Sequence, residues 1–272
     1  MRPSDDRGSV DPVWSELAID EDGELHVHRR AGRRPPIVLL HGFTQTGRSW
    51  DPVVTHLDPD AEIYLPDAPG HGASSGCRIG IADYADALAT HLPPAVYVGY
   101  SMGGRTALHI AVHHPDAALA LVLVGASPGL DDASERAERR RRDDELAERL
   151  ETMELDAFLS EWLSQPLFAS LPTDRQDLDD RRRNTPSGLA HSLRSAGTGV
   201  QDSLWSRLGD IDCPTTLVTG RDDLKFSTIA DRMAELFGGQ VRRVDVPGRG
   251  HAVHLEDPIT MATIVESSRT AS

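Results

Sequence analysis

The stretch AVYVGYSMGGRTAL, residues 95–108, constrains the fold of this chain more than any other segment. A short apolar run, as in a buried strand, passes through Gly99-Tyr100-Ser101-Met102-Gly103 and continues directly in helical spacing. The G-x-S-x-G spacing is that of a nucleophile elbow, a sharp strand-to-helix turn that lifts a serine hydroxyl above the end of a sheet. Gly99 and Gly103 supply the small neighbours that such a turn needs. Arg105 follows in the first helical turn, where the positive end of the macrodipole opposes a cation by some tenths of a kcal/mol. It either extends into water or holds an anion.

The rest of the chain supplies a sheet for the elbow to stand on. WSELAIDEDGELHVHRR reads as a hairpin turning at Asp22-Gly23, followed by strand-like PPIVLLHGF and AEIYLP and helical IADYADALATHL. After the elbow helix, LALVLVGAS is one more buried strand. Continuous apolar strands alternating with amphipathic helices predict a mostly parallel sheet covered on both faces. From about Pro128 to Trp205 the chain becomes highly charged and helix-rich, with loops at QPLFASLPTD and RRRNTPSG; alternation then resumes with TTLVTG, FSTIADRMAELF, VRRVDV and DPITMATIVESS. The expected architecture is α/β, with residues 1–127 and 206–272 forming one core and 128–205 inserted as a helical lid.

A chain of 272 residues accommodates such a domain, and its net charge of −15 argues against nucleic-acid binding or a general attraction to anionic membranes. No apolar run is long enough to span a bilayer, and the N-terminus lacks the apolar core of a signal peptide, so a soluble, cytoplasmic protein is expected. Cys77 and Cys213 are isolated and read as reduced structural thiols. Oligomeric state is not legible. No metal-ligand spacing and no glycine-rich dinucleotide loop appear, and His113-His114 reads as a solvated helix end.

A serine hydroxyl becomes reactive beside a base that is itself oriented by an acid. The chain offers both in the order Ser…Asp…His: Asp223 just beyond TTLVTG, and His251 after VRRVDV. Asp222 is the rival acid, at a less favourable spacing from its strand. His254 is a rival base, better read as a supporting or exposed group. His41 and His71 sit in strand-end loops and suit structural hydrogen bonding. Backbone N–H groups of Phe43 and Met102 are candidates for an oxyanion hole.

LLHGF, PDAPGHG, GYSMGG, TGRDD and GHAVH occur in the order found in α/β-hydrolases, which the chain resembles over nearly its whole length. GYSMGGR, GASPGL, the arginine-rich helix, EWLSQPLFASL, RRRNTPSGLAHSLRSAGTGVQ and DDLKF further resemble the 2-succinyl-6-hydroxy-2,4-cyclohexadiene-1-carboxylate synthases of menaquinone biosynthesis, from roughly Pro36 to Pro258. That resemblance implies a cofactor-free lyase that eliminates pyruvate from a small polyanionic enolpyruvyl substrate, with Ser101, His251 and Asp223 acting as general base. It also implies that Arg105, Arg139 and Arg181 meet carboxylates, and that Tyr100 and Trp162 line the pocket. Arg139 to Arg142 is a run, and Arg183 is an alternative to Arg181. Two blander readings stand beside these. Glu135–Arg139 and Glu138–Arg142 can pair on a solvated helix face, and Trp162 and Phe168 can anchor the lid. A serine hydrolase of small esters, or of C–C bonds next to a ketone, is the alternative activity, and a catalytically silent binding protein is a third possibility.

Overall fold

Residues 37–40 show how the sheet forms: Ile37 and Leu39 pack on one face of it, Val38 and Leu40 on the other. Residues 95–98 repeat the pattern, with Ala95 and Tyr97 on one side and Val96 and Val98 on the opposite side. Side chains alternate along a strand, so a continuous apolar run is stable only where both faces are covered. The computed structural model describes residues 14–18 and 24–271.

Among these residues one eight-stranded sheet forms the centre. Its strands are β1 (Trp14–Ala18), β2 (His26–Arg30), β3 (Arg33–Leu40), β4 (Ala61–Pro66), β5 (Ala95–Tyr100), β6 (Ala118–Val124), β7 (Thr215–Gly220) and β8 (Val241–Val246). The spatial order is β1-β2-β4-β3-β5-β6-β7-β8. β1 pairs antiparallel with β2 and β2 antiparallel with β4, while every pairing from β4 to β8 is parallel. β1 and β2 pair as the hairpin reading requires; its Asp22-Gly23 turn lies outside the described residues.

The helices are α1 (Asp51–Val54), α2 (Ile81–His91), α3 (Met102–His113), α4 (Ala133–Thr152), α5 (Leu155–Leu163), α6 (Leu178–Arg181), α7 (Pro186–Ala196), α8 (Leu224–Ala234), α9 (Val253–Glu256) and α10 (Pro258–Ala271). α2, α3 and α8 contribute to the core on one face of the sheet, and α1, α9 and α10 to the core on the other. The charged stretch expected as helical contains α4 to α7, inserted between the neighbouring strands β6 and β7. Asp132 caps α4 through the Ser134 and Glu135 N–H groups, and Thr185 caps α7 through Gly188 N–H. Ala147, Leu150, Phe158, Leu159, Leu189 and Leu193 bury the inner faces of α4, α5 and α7 in a small core of their own.

Chain order reverses around β3, which runs out to β4 on one side and has β5 on the other. In open α/β sheets the crevice beyond the carboxyl ends of strands at such a switch point is where ligands bind. Here those ends lead into Phe43 and Ser101.

Among the described residues, no helix is long and apolar enough to cross a membrane. Nor do they contain a group of three or more His, Cys, Asp or Glu side chains able to hold a metal ion. Cys77 and Cys213 are free thiols. His114 Nε2 lies 2.6 Å from Asp86 Oδ1, an exposed contact at the end of α3.

Candidate active site

Ser101 occupies the turn between β5 and α3 at φ 50° and ψ −104°. This backbone conformation costs a non-glycine residue about 1–3 kcal/mol and persists only where the surroundings enforce it. A Cβ on Gly99 would overlap the Gly103 carbonyl, and one on Gly103 would overlap the Leu40 carbonyl. The two glycines thus let α3 start directly against β3 and β5.

His251 Nε2 lies 3.2 Å from Ser101 Oγ, and His251 Nδ1 lies 2.7 Å from Asp223 Oδ2. Both His251 and Asp223 are buried. Asp223 has a second task as N-cap of α8, where its Oδ1 accepts Phe226 N–H at 3.2 Å. A carboxylate at a helix N-terminus is stabilised by the free N–H groups and the dipole. Asp222, one residue earlier, is exposed. Gly125, at φ 55°, leaves room for the imidazole, because a Cβ there would lie 2.8 Å from His251 Cε1.

The Gly42-Phe43 segment is braced from behind. Gly42 N–H donates to Gln45 Oε1 at 3.1 Å, and Gln45 Nε2 lies 3.1 Å from His254 Nε2. His254 is buried against Tyr100, ring centroids 4.3 Å apart, and Trp50, 4.7 Å apart. Burial holds it neutral, its pKa far below the ordinary value. With Nε2 engaged by Gln45, His254 supports the loop and does not face Ser101. His41 donates from Nδ1 to the Gly42 carbonyl at 2.8 Å and accepts Ala68 N–H on Nε2 at 2.9 Å. His71 Nδ1 donates to the Pro69 carbonyl at 3.0 Å.

An aromatic wall covers the site. The Trp162 ring lies 5.1 Å from that of Phe43 and 6.0 Å from that of Phe168, while Phe168 and Phe226 approach His251 at 6.4 and 4.4 Å. Phe168 is buried in the core below, so it anchors the inserted segment as well as facing the imidazole.

The arginines divide into two groups. Arg105 is 8 % exposed and donates from Nη1 to Gln201 Oε1 at 2.5 Å. Burial, with Arg139 close by, disfavours its charged form and pulls its pKa down to about 9. Arg181 is 1 % exposed; it donates from Nε to the Gln176 carbonyl at 2.7 Å and from Nη1 to Thr44 Oγ1. Burial lowers its pKa, and its charge acts on Tyr100. Among the described residues, neither guanidinium has a carboxylate oxygen within 4.0 Å.

Arg139, half-exposed, instead spends its charge on Asp143, with Nε 2.9 and 3.0 Å from the two carboxylate oxygens. The expected Glu135–Arg139 pair is therefore replaced by Arg139–Asp143, whereas Glu138–Arg142 forms at 2.8 Å. Arg183 is exposed. Successive helical residues rotate by about 100°, so turning Arg181 inward at the end of α6 turns Arg183 away from the site.

Sequence reasoning missed Gln201, Gln45 and Glu256. The last is a buried carboxylate that accepts Gly250 N–H at 2.8 Å and Ala252 N–H at 3.1 Å. Glutamine 96 positions from its arginine partner carries no local signal.

A model of the alpha/beta hydrolase family matches residues 37–263. The chain is 33% identical over 248 residues to the 2-succinyl-6-hydroxy-2,4-cyclohexadiene-1-carboxylate synthase of Enterobacter sp. (strain 638), covering 88% of this chain and 93% of that one. A Bacillus subtilis (strain 168) protein provisionally named for the same activity is 37% identical over 254 residues, covering 86% and 90%. The structure of MenH from S. aureus superimposes with a TM-score of 0.82 at 29% identity, covering 90% of this chain and 98% of that one. By sequence and fold alike, the chain belongs to the α/β-hydrolase family and, within it, to the 2-succinyl-6-hydroxy-2,4-cyclohexadiene-1-carboxylate synthases.

Proposed function

We propose that this chain eliminates pyruvate from 2-succinyl-5-enolpyruvyl-6-hydroxy-3-cyclohexene-1-carboxylate, giving 2-succinyl-6-hydroxy-2,4-cyclohexadiene-1-carboxylate, a step of menaquinone biosynthesis. The observation that carries this reading is a Ser–His–Asp constellation accompanied by two buried guanidiniums that have no carboxylate oxygen within 4.0 Å among the described residues: Arg105, one helical turn after Ser101, and Arg181, which bonds Thr44 next to Phe43 and acts on Tyr100. A buried cation is costly unless an anion meets it, and the substrate is a polyanion. Guanidinium forks suit carboxylates in planar, bidentate geometry.

Ser101 gives its hydroxyl proton to His251 Nε2 as its oxygen takes the proton α to the succinyl ketone, so the hydroxyl is regenerated and the imidazole becomes imidazolium. Asp223 holds the ring in the orientation that accepts the hydroxyl proton and offsets the imidazolium charge. The C–H electron pair moves to the ketone oxygen as an enolate, which the N–H groups of Phe43 and Met102 stabilise. Collapse of the enolate sends the pair through the ring double bond and breaks the bond to the enolpyruvyl oxygen. The leaving enolpyruvate takes up the proton that the imidazolium gives back and tautomerises to pyruvate, so the base is restored and no water is consumed. The inserted helices act as a lid, and the rings of Trp162, Phe43 and Phe168 exclude solvent from the enolate. Tyr100 forms the floor through its ring. Arg139, tied to Asp143, sets the charge around Arg105.

Purified protein is expected to release pyruvate from the enolpyruvyl substrate in a lactate-dehydrogenase-coupled assay. Arg105→Ala should raise KM about 100-fold, equivalent to roughly 2.7 kcal/mol of lost binding, with an unchanged far-UV circular dichroism spectrum. Undiminished kcat/KM in that variant would remove Arg105 from substrate binding. Brisk hydrolysis of p-nitrophenyl acetate with no pyruvate released would place the chain among ester hydrolases.

A further inference from the structure

We propose that Glu256 is a positioning residue for His251, gripping the loop 250–252 with both oxygens of its carboxylate. Oε2 accepts Gly250 N–H at 2.8 Å and Oε1 accepts Ala252 N–H at 3.1 Å. These N–H groups belong to the residues immediately before and after His251, so one carboxylate straddles the residue that links Asp223 to Ser101. Ala252 is the N-cap of α9, and a simple capping contact would use its N–H alone. The second bond reaches back past the histidine to Gly250, which capping does not require.

Glu256 is 5 % exposed, and among the described residues it forms no ion pair. A buried carboxylate is costly unless strong donors satisfy it, and here both donors belong to the catalytic loop. Elsewhere the loop is held at its start, where Asp222 N–H donates to the Arg249 carbonyl at 3.0 Å and Gly220 packs against the Arg249 and Gly250 carbonyls. It lies between β8 and α9 without regular structure, yet the imidazole must meet Asp223 at 2.7 Å and Ser101 at 3.2 Å together. Rings of Phe226 and Tyr100 limit rotation of the imidazole, at 4.4 and 5.2 Å, but make no bond to its backbone. Glu256 adds hydrogen bonds on both sides of the histidine. Its own helix is held from the inserted segment, where Arg175 Nη1 donates to the Leu255 and Glu256 carbonyls at 3.2 and 2.9 Å. Ser170 of the same segment packs against Gly250.

The proposal rests on His251 serving as base in the reaction above, and its test reads geometry separately from turnover. Glu256→Gln keeps size but presents an amide N–H₂ to one of the two backbone N–H groups, so one arm of the grip opens. A displacement of even about 1 Å at a reacting group can lower a rate about 100-fold. Accordingly kcat for pyruvate release should fall about 100-fold with KM within about threefold. The low-field proton resonance of His251 Nδ1–H, identified by its loss in His251→Ala, should shift or broaden. Wild-type kcat in Glu256→Gln would overturn the proposal. So would reduced activity with the resonance unmoved, because Glu256 would then serve only stability. If His251→Ala still released pyruvate, the reading of His251 as base would fail, while the resonance in Glu256→Gln would still decide the grip. Should Glu256→Gln not fold, Glu256→Asp keeps both acceptors on a shorter stem. A displaced resonance with lowered kcat supports the grip there, and wild-type values overturn it.

Discussion

Arg181 and Arg183 lie two positions apart, one sealed inside and one in water. Among the described residues the Arg181 guanidinium hydrogen-bonds to the Gln176 carbonyl and the Thr44 hydroxyl, both neutral, and feels Asp177 and Asp180 only from beyond ion-pair distance. Removing a buried cation that an anion pairs with costs about 3 kcal/mol or more. Arg181→Ala is therefore expected to lower kcat/KM for pyruvate release at least about 100-fold, and Arg183→Ala to leave it within about twofold. Equal effects in steady-state assays of the two variants would contradict this assignment. The same scale separates Asp223 from Asp222. Only Asp223 sits where α8 begins, so its two oxygens serve the helix and the imidazole at once. The strand end before it is legible in the sequence, and the N-cap geometry that selects it is not. Gln45, Gln201 and Glu256 are ordinary polar residues by sequence, and only their partners make them part of the site.

At the scale of elements, the turn from β5 into α3 sets the position of everything around Ser101. Gly103 faces the Leu40 carbonyl so closely that any side chain there must push α3 away from β3. Overpacking of this kind costs about 1–3 kcal/mol. For a chain of this size Gly103→Ala should lower the thermal midpoint by roughly 2–10 °C in differential scanning calorimetry, with Ser101 displaced and kcat reduced. An unchanged midpoint would show that the contact yields without strain. α4 is governed differently. Arg141 and Arg142 pair with Glu138 on an exposed face, contacts worth a few tenths of a kcal/mol. The apolar stripe of Ala147 and Leu150 is what binds α4 to α7. Helical character in this stretch was readable from composition. Which arginine points inward was not, since four consecutive arginines offer one to each side of the helix.

Across the described residues, burial lowers the pKa of five imidazoles, those of His41, His71, His109, His191 and His254. His41 and His109 have pKa values pushed down to about 4 and His71 to about 3, and that of His254 falls well below its ordinary value. In the unfolded chain each would titrate near 6.5. Below that pH the unfolded state binds more protons, so stability falls as pH falls, until about 4, where the folded rings begin to charge. The loss should reach about 2 kcal/mol for each of His41, His71, His109 and His254 between pH 6.5 and 5. Asp177, whose carboxyl burial raises to about 6, opposes this by holding a proton in the folded state, so urea unfolding free energies measured against pH should show a net proton uptake on unfolding near pH 5 that is smaller than the rings alone would give. His109→Gln should reduce that uptake by about one; a flat profile over this range would mean that these rings are charged in the fold.

The order of strands and helices, the elbow at Ser101, and the acid and base candidates that follow later strands are all written in the order of residues. All of these depend on periodicity and turn requirements within a few residues, which local chemistry dictates. Tertiary structure alone decided that Arg181 meets Thr44, 137 positions away, that Arg105 meets Gln201, 96 positions away, and that Glu256 holds the loop of His251. The reason is electrostatic: whether a charge is solvated or sealed off without a counterion depends on which distant segments close over it, and a linear pattern of residue types contains no such information.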